Sequence, residues 1–465
     1  MKIAVLNGSP KGDVSVTMQY VKYLQKKFPG HEFIFHNTAQ QIRKLEKDEK
    51  AFRAVMDDIA AADAVLWAFP LYYCLVCSQY KRFIELIFER GAQACFRDKY
   101  AAGLSTSIHF FDHTAHNYIH AICDDLDMRY TGFYSAAMYD LLKKEERQRL
   151  ADFFQDLQAV VERQAPTMKC FPPLEHKAFR YVPGTPVAAG GLADLQGKKV
   201  LIITDEKPQN PGDENLRSMV RFFGSCFLNG AETINLNEID IRGGCLGCIK
   251  CGYNNECAWL GKDGFNEFFE SKVKNADALI VAGSIRDRYF SSRWKMFFDR
   301  SFYNTHKPVF EDKQFGYIVS GPFSQIPNLR EIMAATAEQM NANLVGIVTD
   351  EPADSGAIDG LLQEMARRVC ELTLLGYIGP KTFLGVGARK LFRDEIWGPL
   401  RFAFRADHIY YKQHGWYDFP QKDYQAQMRS FVMGTMMKIP PIRKDIQKRW
   451  TQEMIKPLRS VVEKK

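Results

Sequence analysis

A chain of 465 residues is too long for one ordinary core, and with 46% hydrophobic and 25% charged residues it is neither disordered nor fibrous. No apolar run is long enough to span a bilayer, and Met1–Leu6 runs into Asn7-Gly8-Ser9-Pro10 with no cleavage pattern, so a cytoplasmic protein is expected. The net charge of +7 is lopsided: Leu384–Lys465 carries 17 Lys+Arg against 8 Asp+Glu, a net of +9, which leaves −2 on everything before it and places the basic character in the tail.

Met1–Leu6 (MKIAVL) reads as a buried strand. It opens into the small-polar loop Gly8–Thr17 and then an amphipathic helix over about Val16–Phe28. A strand, such a loop and a helix N-terminus form a cradle for phosphate: backbone amides and the helix dipole face the anion, and hydroxyls add bonds. Ser9, Lys11, Ser15 and Thr17, with Pro10 in the same turn, are the candidate contacts. Strands follow at Glu32–His36, Ala64–Phe69, Ala101–Thr106 and Gly132–Ala137, with helices at Ser78–Arg90 and Lys143–Arg163. This alternation predicts an α/β fold with a doubly wound parallel sheet. Ligands in such sheets sit beyond the carboxyl ends of the strands, which selects three segments: Gly8–Thr17, Pro70-Leu71-Tyr72-Tyr73, and Ser105-Thr106-Ser107 on to Asp112.

GSPKGDVSVT, followed by a strand ending in FPLYY and by QYKRFIE, resembles the flavodoxin-like NAD(P)H-dependent FMN reductase family over about the first 160 residues. The resemblance implies FMN, its phosphate held by Ser9, Lys11, Ser15 and Thr17 and its ring beside Pro70, Leu71, Tyr72 and Tyr73. Val14 and Val16 depart from the usual small polar residues of that loop. With FMN so placed, His109 and Asp112 reach the flavin edge, where an imidazole can deliver a proton to a substrate being reduced; His113 and Tyr73 are further candidates. His113, His116 and His120 share one helical face, which suits either a metal or an ordinary polar face. Cys74 and Cys77 form a lone C-x2-C, read as two small apolar residues in preference to a redox dithiol.

Gln164–Lys198, with Pro166, Pro172, Pro173, Pro183, Pro186 and Gly190-Gly191, reads as a linker. The pattern then restarts. Strands are expected at Val200–Thr204, Glu232–Leu236, Ala278–Ala282, Phe315–Ser320 and Leu344–Val348. Helices are expected at Glu214–Leu228, Gly264–Lys274, Arg293–Phe302, Leu329–Met340 and Gly356–Leu375. WKMFFDR matches YKRFIE about 200 residues on, so the chain contains an internal repeat. The expected division is 1–165 for the FMN-binding domain, 166–198 for the linker, 199–376 for the second flavodoxin-like domain and 377–465 for an extension. The repeat's first loop, Thr204–Asn215, lacks GSP and carries four acids, which repel a phosphate; one flavin is expected, in the first domain.

Between the second and third strands of the repeat lies GCLGCIKCGYNNEC. Cys245, Cys248, Cys251 and Cys257 are spaced C-x2-C-x2-C-x5-C, and eleven cysteines in a chain without a secretion signal point to thiols and metal in place of disulfides. Thiolates bind iron–sulfur clusters and zinc. Three thiols at every third residue suit one compact object, whereas zinc more often uses two separated knuckles. A 4Fe–4S cluster is the leading expectation; zinc and redox-active thiols are the alternatives. The segment is similar to that of iron–sulfur flavoproteins, whose compact cysteine run binds a 4Fe–4S cluster close to FMN. That implies a division in which the first half keeps the flavin and the second the cluster, and a tendency of such domains to pair.

The aromatic-rich, basic extension is expected to be helical at Tyr424–Lys438 and Arg443–Val462, split by Pro440-Pro441, with a docked turn at Gly415–Pro420. Wrapping of the body or an oligomer contact is the plain reading; attachment to an anionic membrane surface is another. Nothing beyond basic and aromatic content favours nucleic acid. The function expected is an oxidoreductase passing electrons between a 4Fe–4S cluster and FMN to a small-molecule acceptor, supplied by a ferredoxin-like donor or by NAD(P)H. The alternatives are an NAD(P)H-dependent FMN, quinone or nitro reductase without a cluster, and a non-catalytic electron-transfer module.

Overall fold

The computed structural model describes residues 1–186, 192–418 and 423–462. Gly190-Gly191 and the Phe419-Pro420 end of the expected turn lie outside them. Strands β1 (Lys2–Asn7), β2 (Glu32–His36), β3 (Ala64–Pro70), β4 (Tyr100–Ser107) and β5 (Arg129–Ala137) alternate with α1 (Val16–Lys27), α2 (Ile42–Lys47), α3 (Glu49–Ala60), α4 (Ser78–Glu89), α5 (Asp112–Asp125) and α6 (Lys144–Glu162). The strands run parallel in the order β2-β1-β3-β4-β5. β1 and β3 are buried on both faces because helices cover both sides, which is why their sequences are almost continuously apolar. α2 falls in the stretch 36–50, which reads as polar and charged, and α3 follows it.

The second half repeats the plan with β6 (Val200–Thr204), α7 (Glu214–Ser225), β7 (Glu232–Asn235), α8 (Cys251–Asn254) and α9 (Phe265–Phe268), which runs on into one π turn. It continues with β8 (Ala278–Ser284), α10 (Ser292–Ser301), β9 (Gln314–Ser320), α11 (Pro327–Gln339), β10 (Asn343–Thr349) and α12 (Ser355–Leu375). Its sheet is also parallel, in the order β7-β6-β8-β9-β10, the same winding as the first. Each sheet has its own core, one built on Val5, Met18, Leu66 and Phe154, the other on Ile202, Phe223, Ile280 and Leu362. The proline-rich connection forms no helix among its described residues, but it is tied down: the Cys170 and Phe171 amides both donate to Asp124, and Tyr181 is buried in the second core.

The two halves meet through α4 and α10, and their contacts are reciprocal. The Ser78 amide at the start of α4 donates to Asp299 of α10 at 2.7 Å, and the Ser292 amide at the start of α10 donates to Glu85 of α4 at 2.6 Å. Each helix thus caps the other's N-terminus with a carboxylate one turn past its own buried lysine, Lys81 or Lys295. Lys81 also pairs with Asp287 at 2.8 Å. Reciprocal pairing of equivalent elements is the pattern of an isologous interface, here within one chain.

α13 (Phe383–Trp397) and α14 (Arg405–Gln413) follow, then α15 (Tyr424–Met436) and α16 (Pro440–Val462). By internal contacts the chain divides into a compact unit of Met1–Tyr410 and a second from Tyr411 onward. In the second unit the Tyr411 and Trp416 rings pack 4.7 Å apart. The prolines expected to split the tail helices instead start α16, because the first helical turn needs no backbone donor. Among the described residues no helix is long and apolar enough to cross a membrane.

Candidate active site

β1 has β2 on one side and β3 on the other, so the loops after β1 and β3 part at the switch point of the first sheet, where a crevice opens. The first loop is held by its own side chains. Asn7 accepts from the Ser9 amide at 3.0 Å, Ser9 Oγ from the Lys11 amide at 3.2 Å, and Ser15 caps α1 by accepting from the Met18 amide. The leading amides of α1 have no intrahelical acceptor and face the crevice end of the sheet. The loop after β3 is strained: Tyr73 and Cys74 both have left-handed backbones (φ 40° and 59°), clamped by paired hydrogen bonds between Tyr72 and Leu75.

The crevice is a cavity of about 590 Å³, in the range of cofactor and ligand sites. Ser9, Lys11, Ser15, Pro70, Leu71, Tyr72, Tyr73, Thr106 and Ser107 line it. Thr17 and Ser105 lie below its wall. Thr17 is wholly buried, its hydroxyl 2.6 Å from that of Thr106, and Ser105 bonds His116 and Ser135, so neither hydroxyl is spent on the cavity. Pro10 faces a different cavity.

The opposite wall is the cysteine segment of the second half. Cys245, Cys248, Cys251 and Cys257 all line this same cavity. Gly247 has φ 63° and lies so close to Tyr72 that a Cβ would collide with the phenol hydroxyl; a Cβ on Gly252 would strike the Ala403 carbonyl. The Gly247 amide donates to Cys245 Sγ at 3.4 Å and the Trp259 amide to Cys257 Sγ at 3.5 Å, the backbone support that thiolate ligands use. Burial pushes the Cys251 thiol up to about 12 and Cys245 higher still. Among the described residues no group of three or more His, Cys, Asp or Glu is drawn together to hold a metal ion. The four thiols border one space without converging on one point.

The histidines of the α5 region stand elsewhere. His109 Nδ1 pairs with Asp112 at 2.9 Å, and Ser135 Oγ donates to the same carboxylate at 2.6 Å. The Asp112 hydrogen bond raises His109; burial opposes ionisation of Asp112, but His109 and Ser135 bring it well below the usual carboxylate range. His113 pairs with Glu331, His116 is buried, and His120 stacks on Tyr130. None of His109, Asp112 or His113 lines the cavity, although Ile108 and Phe110, on either side of His109, do. The histidine that does line it is His306, just beyond α10, which no motif marks.

The corresponding crevice of the second sheet differs. Asp213, the residue before α7, stands where Ser15 stands before α1. It is fully buried, and its carboxylate accepts from the Lys207 amide, Asn210, Ser284 and Arg286. An internal anion fills this cradle. A cavity of about 810 Å³ lies beside it, lined by Asp205, Lys207 and Arg286 and by Gln40 and Arg43 of the first half.

Residues 1–160 match the model of a family described as having a flavodoxin-like fold, and this first third of the chain is a flavodoxin-like domain. Among solved structures, an NADH:FMN oxidoreductase (EMOB, apo form) is 14% identical with a TM-score of 0.29, over 35% of this chain and 89% of that one. The flavoenzyme NAD(P)H:(acceptor) oxidoreductase FerB from Paracoccus denitrificans is 18% identical with a TM-score of 0.28, over 34% and 97%. The general stress protein 14 from Treponema denticola, solved in complex with FMN, is 12% identical with a TM-score of 0.26, over 35% and 98%. No curated protein matches the chain.

Proposed function

We propose that the protein is a flavin-dependent oxidoreductase that reduces a small-molecule acceptor in the cavity between its two halves, with FMN on the first half and a 4Fe–4S cluster on Cys245, Cys248, Cys251 and Cys257. The observation that carries this reading is that one cavity is walled by the phosphate-type loop and Tyr72-Tyr73 on one side and by all four cysteines on the other. The residues of the first wall suit a flavin phosphate and ring. Ser9, Lys11, Ser15 and the amides opening α1 offer hydrogen bonds and one positive charge to a phosphate. Pro70–Tyr73 and Thr106-Ser107 offer a flat wall to a ring system. For a cluster the support is that all four cysteines line this one cavity and that the Gly247 and Trp259 amides donate to two of the sulfurs.

Bound FMN supplies storage of two electrons and a 4Fe–4S cluster supplies their passage one at a time. The chain's own part is to orient and enclose. Gly247 lets the cysteine loop lie against Tyr72, and Phe110, Phe302, Phe392 and Phe404 make the rest of the lining apolar. Acceptors of the quinone, nitro or activated-alkene type match such an apolar chamber, with a ferredoxin-like protein or NAD(P)H as donor. Domain limits of 1–165 and 199–376, joined by 166–198, belong to the same reading, as does a cytoplasmic setting.

Purification without oxygen, counting flavin, iron and sulfide per chain, tests it. Cys248→Ser is expected to lose iron and keep flavin; iron that stays in place sinks the ligand assignment. A second reading is favoured by the lack of a metal-holding group among the described residues: an NAD(P)H-dependent flavin reductase whose cysteines carry no cluster. A spectrum of flavin bands alone, with no broad shoulder bleached by dithionite, would select it.

A further inference from the structure

α15 has 13 residues and none of them is buried. Tyr424, Met428, Phe431 and Val432 follow one another at helical spacing, so they share one face. Tyr424, Met428 and Phe431 are 72%, 65% and 73% exposed, and Ile439 carries the exposed apolar stripe past the helix end. A helix this short is marginal in water on propensity alone; helices in proteins hold because such a face is covered. An exposed apolar face bordered by polar residues marks a docking surface.

Charge says what docks. The sequence from Tyr424 to Lys465 holds 10 Lys+Arg against 3 Asp+Glu, a net of +7, which is the whole net charge of the chain. α15 itself contains Arg429 and no acid, and Lys438, Arg443, Lys444 and Lys448, just beyond it, are all exposed. A second copy would bring +7 against +7, so like charges oppose self-pairing through this face. We propose that α15, with the basic residues after it, is a membrane-surface anchor: its apolar face lies below the headgroups of an anionic bilayer, and the lysines and arginines reach the lipid phosphates. In the compact unit, large apolar side chains that line the cavity are also exposed, Phe402 at 83% together with Tyr139, Leu246 and Ile249. An apolar entrance suits an acceptor that dissolves in lipid, which favours a bilayer over an acidic protein as the occupant. That preference rests on reading the cavity as the acceptor site; the anchor itself does not.

Sedimentation of the full chain with lipid vesicles tests it, with phosphatidylcholine alone compared against equal parts phosphatidylcholine and phosphatidylglycerol. Binding to the mixed vesicles is expected to be at least about tenfold tighter than to the neutral ones and to weaken with added salt, because several basic residues each add to the attraction. Met428→Gln/Phe431→Gln keeps the charge and the helix propensity and removes much of the apolar face. It is expected to bind mixed vesicles at least about tenfold more weakly, with melting temperature and flavin per chain unchanged, since α15 buries no residue. Adsorption by charge alone would survive the two glutamines. As a measurement that needs no variant, amide exchange over 424–436 is expected to slow on mixed vesicles and not on neutral ones. Equal binding to the two vesicle types, binding retained by Met428→Gln/Phe431→Gln, no binding, or exchange that does not slow overturns the proposal. So does a dimer in solution that this variant dissolves, which gives the face to a second copy. Absence of flavin touches only the reading of the cavity.

Discussion

His116 is buried with Nε2 2.8 Å from Ser105 Oγ, its ring stacked on Phe133 at 4.0 Å and Nδ1 without a partner. Burial lowers it to about 4, against about 6.5 in an unfolded chain. Below 6.5 the unfolded state takes up a proton that the folded state refuses, so this stability is full at neutral pH and lost as the pH falls toward 4. The loss amounts to about 3 kcal/mol at most. His116→Gln, which keeps a partner for Ser105, is expected to flatten that acid limb in urea unfolding at pH 7 and pH 4.5. Gly247 offers a second test. Alanine there adopts an unfavourable φ and meets the Tyr72 hydroxyl, so Gly247→Ala should cost more than about 1 kcal/mol in thermal unfolding. Residue-level legibility was uneven for reasons of distance along the chain. Ser9, Lys11, Ser15 and the four cysteines sit in short motifs whose local spacing carries their chemistry. His306 is a single residue whose ring pairs with Asp407, 101 positions away, and only the fold joins them. Thr17 lies in the right motif but on the inward side of its helix, a distinction of one position that loop composition does not carry.

The α4–α10 pair is specified by buried carboxylates on both sides. Removing Glu85 leaves the Ser292 amide and hydroxyl without their acceptor and Lys81 with Asp287 alone, and breaking a buried pair from one side costs about 3–5 kcal/mol. Glu85→Ala is expected to lower stability by that order in chemical denaturation, and Lys81→Met/Glu85→Leu not to recover it, because Asp287 then loses its lysine. The likeness of YKRFIE to WKMFFDR made both helices and their kinship readable. The exchange of caps was not readable, since the residues that meet lie more than 200 positions apart. α3 went unread for a different cause. Its apolar residues Phe52, Val55, Met56 and Ile59 fall at helical spacing and are all buried, but charged neighbours dominate the stretch. α13 and α14 stand beyond the repeat, where no second copy of a pattern draws attention to them.

Over the whole molecule, two sheets of the same winding carry unequal crevices. The second cradle already holds the Asp213 carboxylate with Arg286, so one FMN per chain is expected, not two, from flavin absorbance released on denaturation against protein concentration. A count approaching two would mean that the internal anion yields to a phosphate. The alternation of strand and helix and the repeat were visible in composition and order. That both halves wall a single chamber was suggested only by the resemblance to iron–sulfur flavoproteins, because the sequence orders elements along a line and the chamber exists only once α4 meets α10.

The mutual capping of α4 and α10 carries one more consequence. In an assembly of two identical subunits every mutation appears on both sides, so neither can drop its ligand while its partner keeps one. Tethering the pair in a single chain lifts that restriction: the halves can differ at the cysteine segment and at the Asp213 cradle while the handshake between the helices keeps them paired.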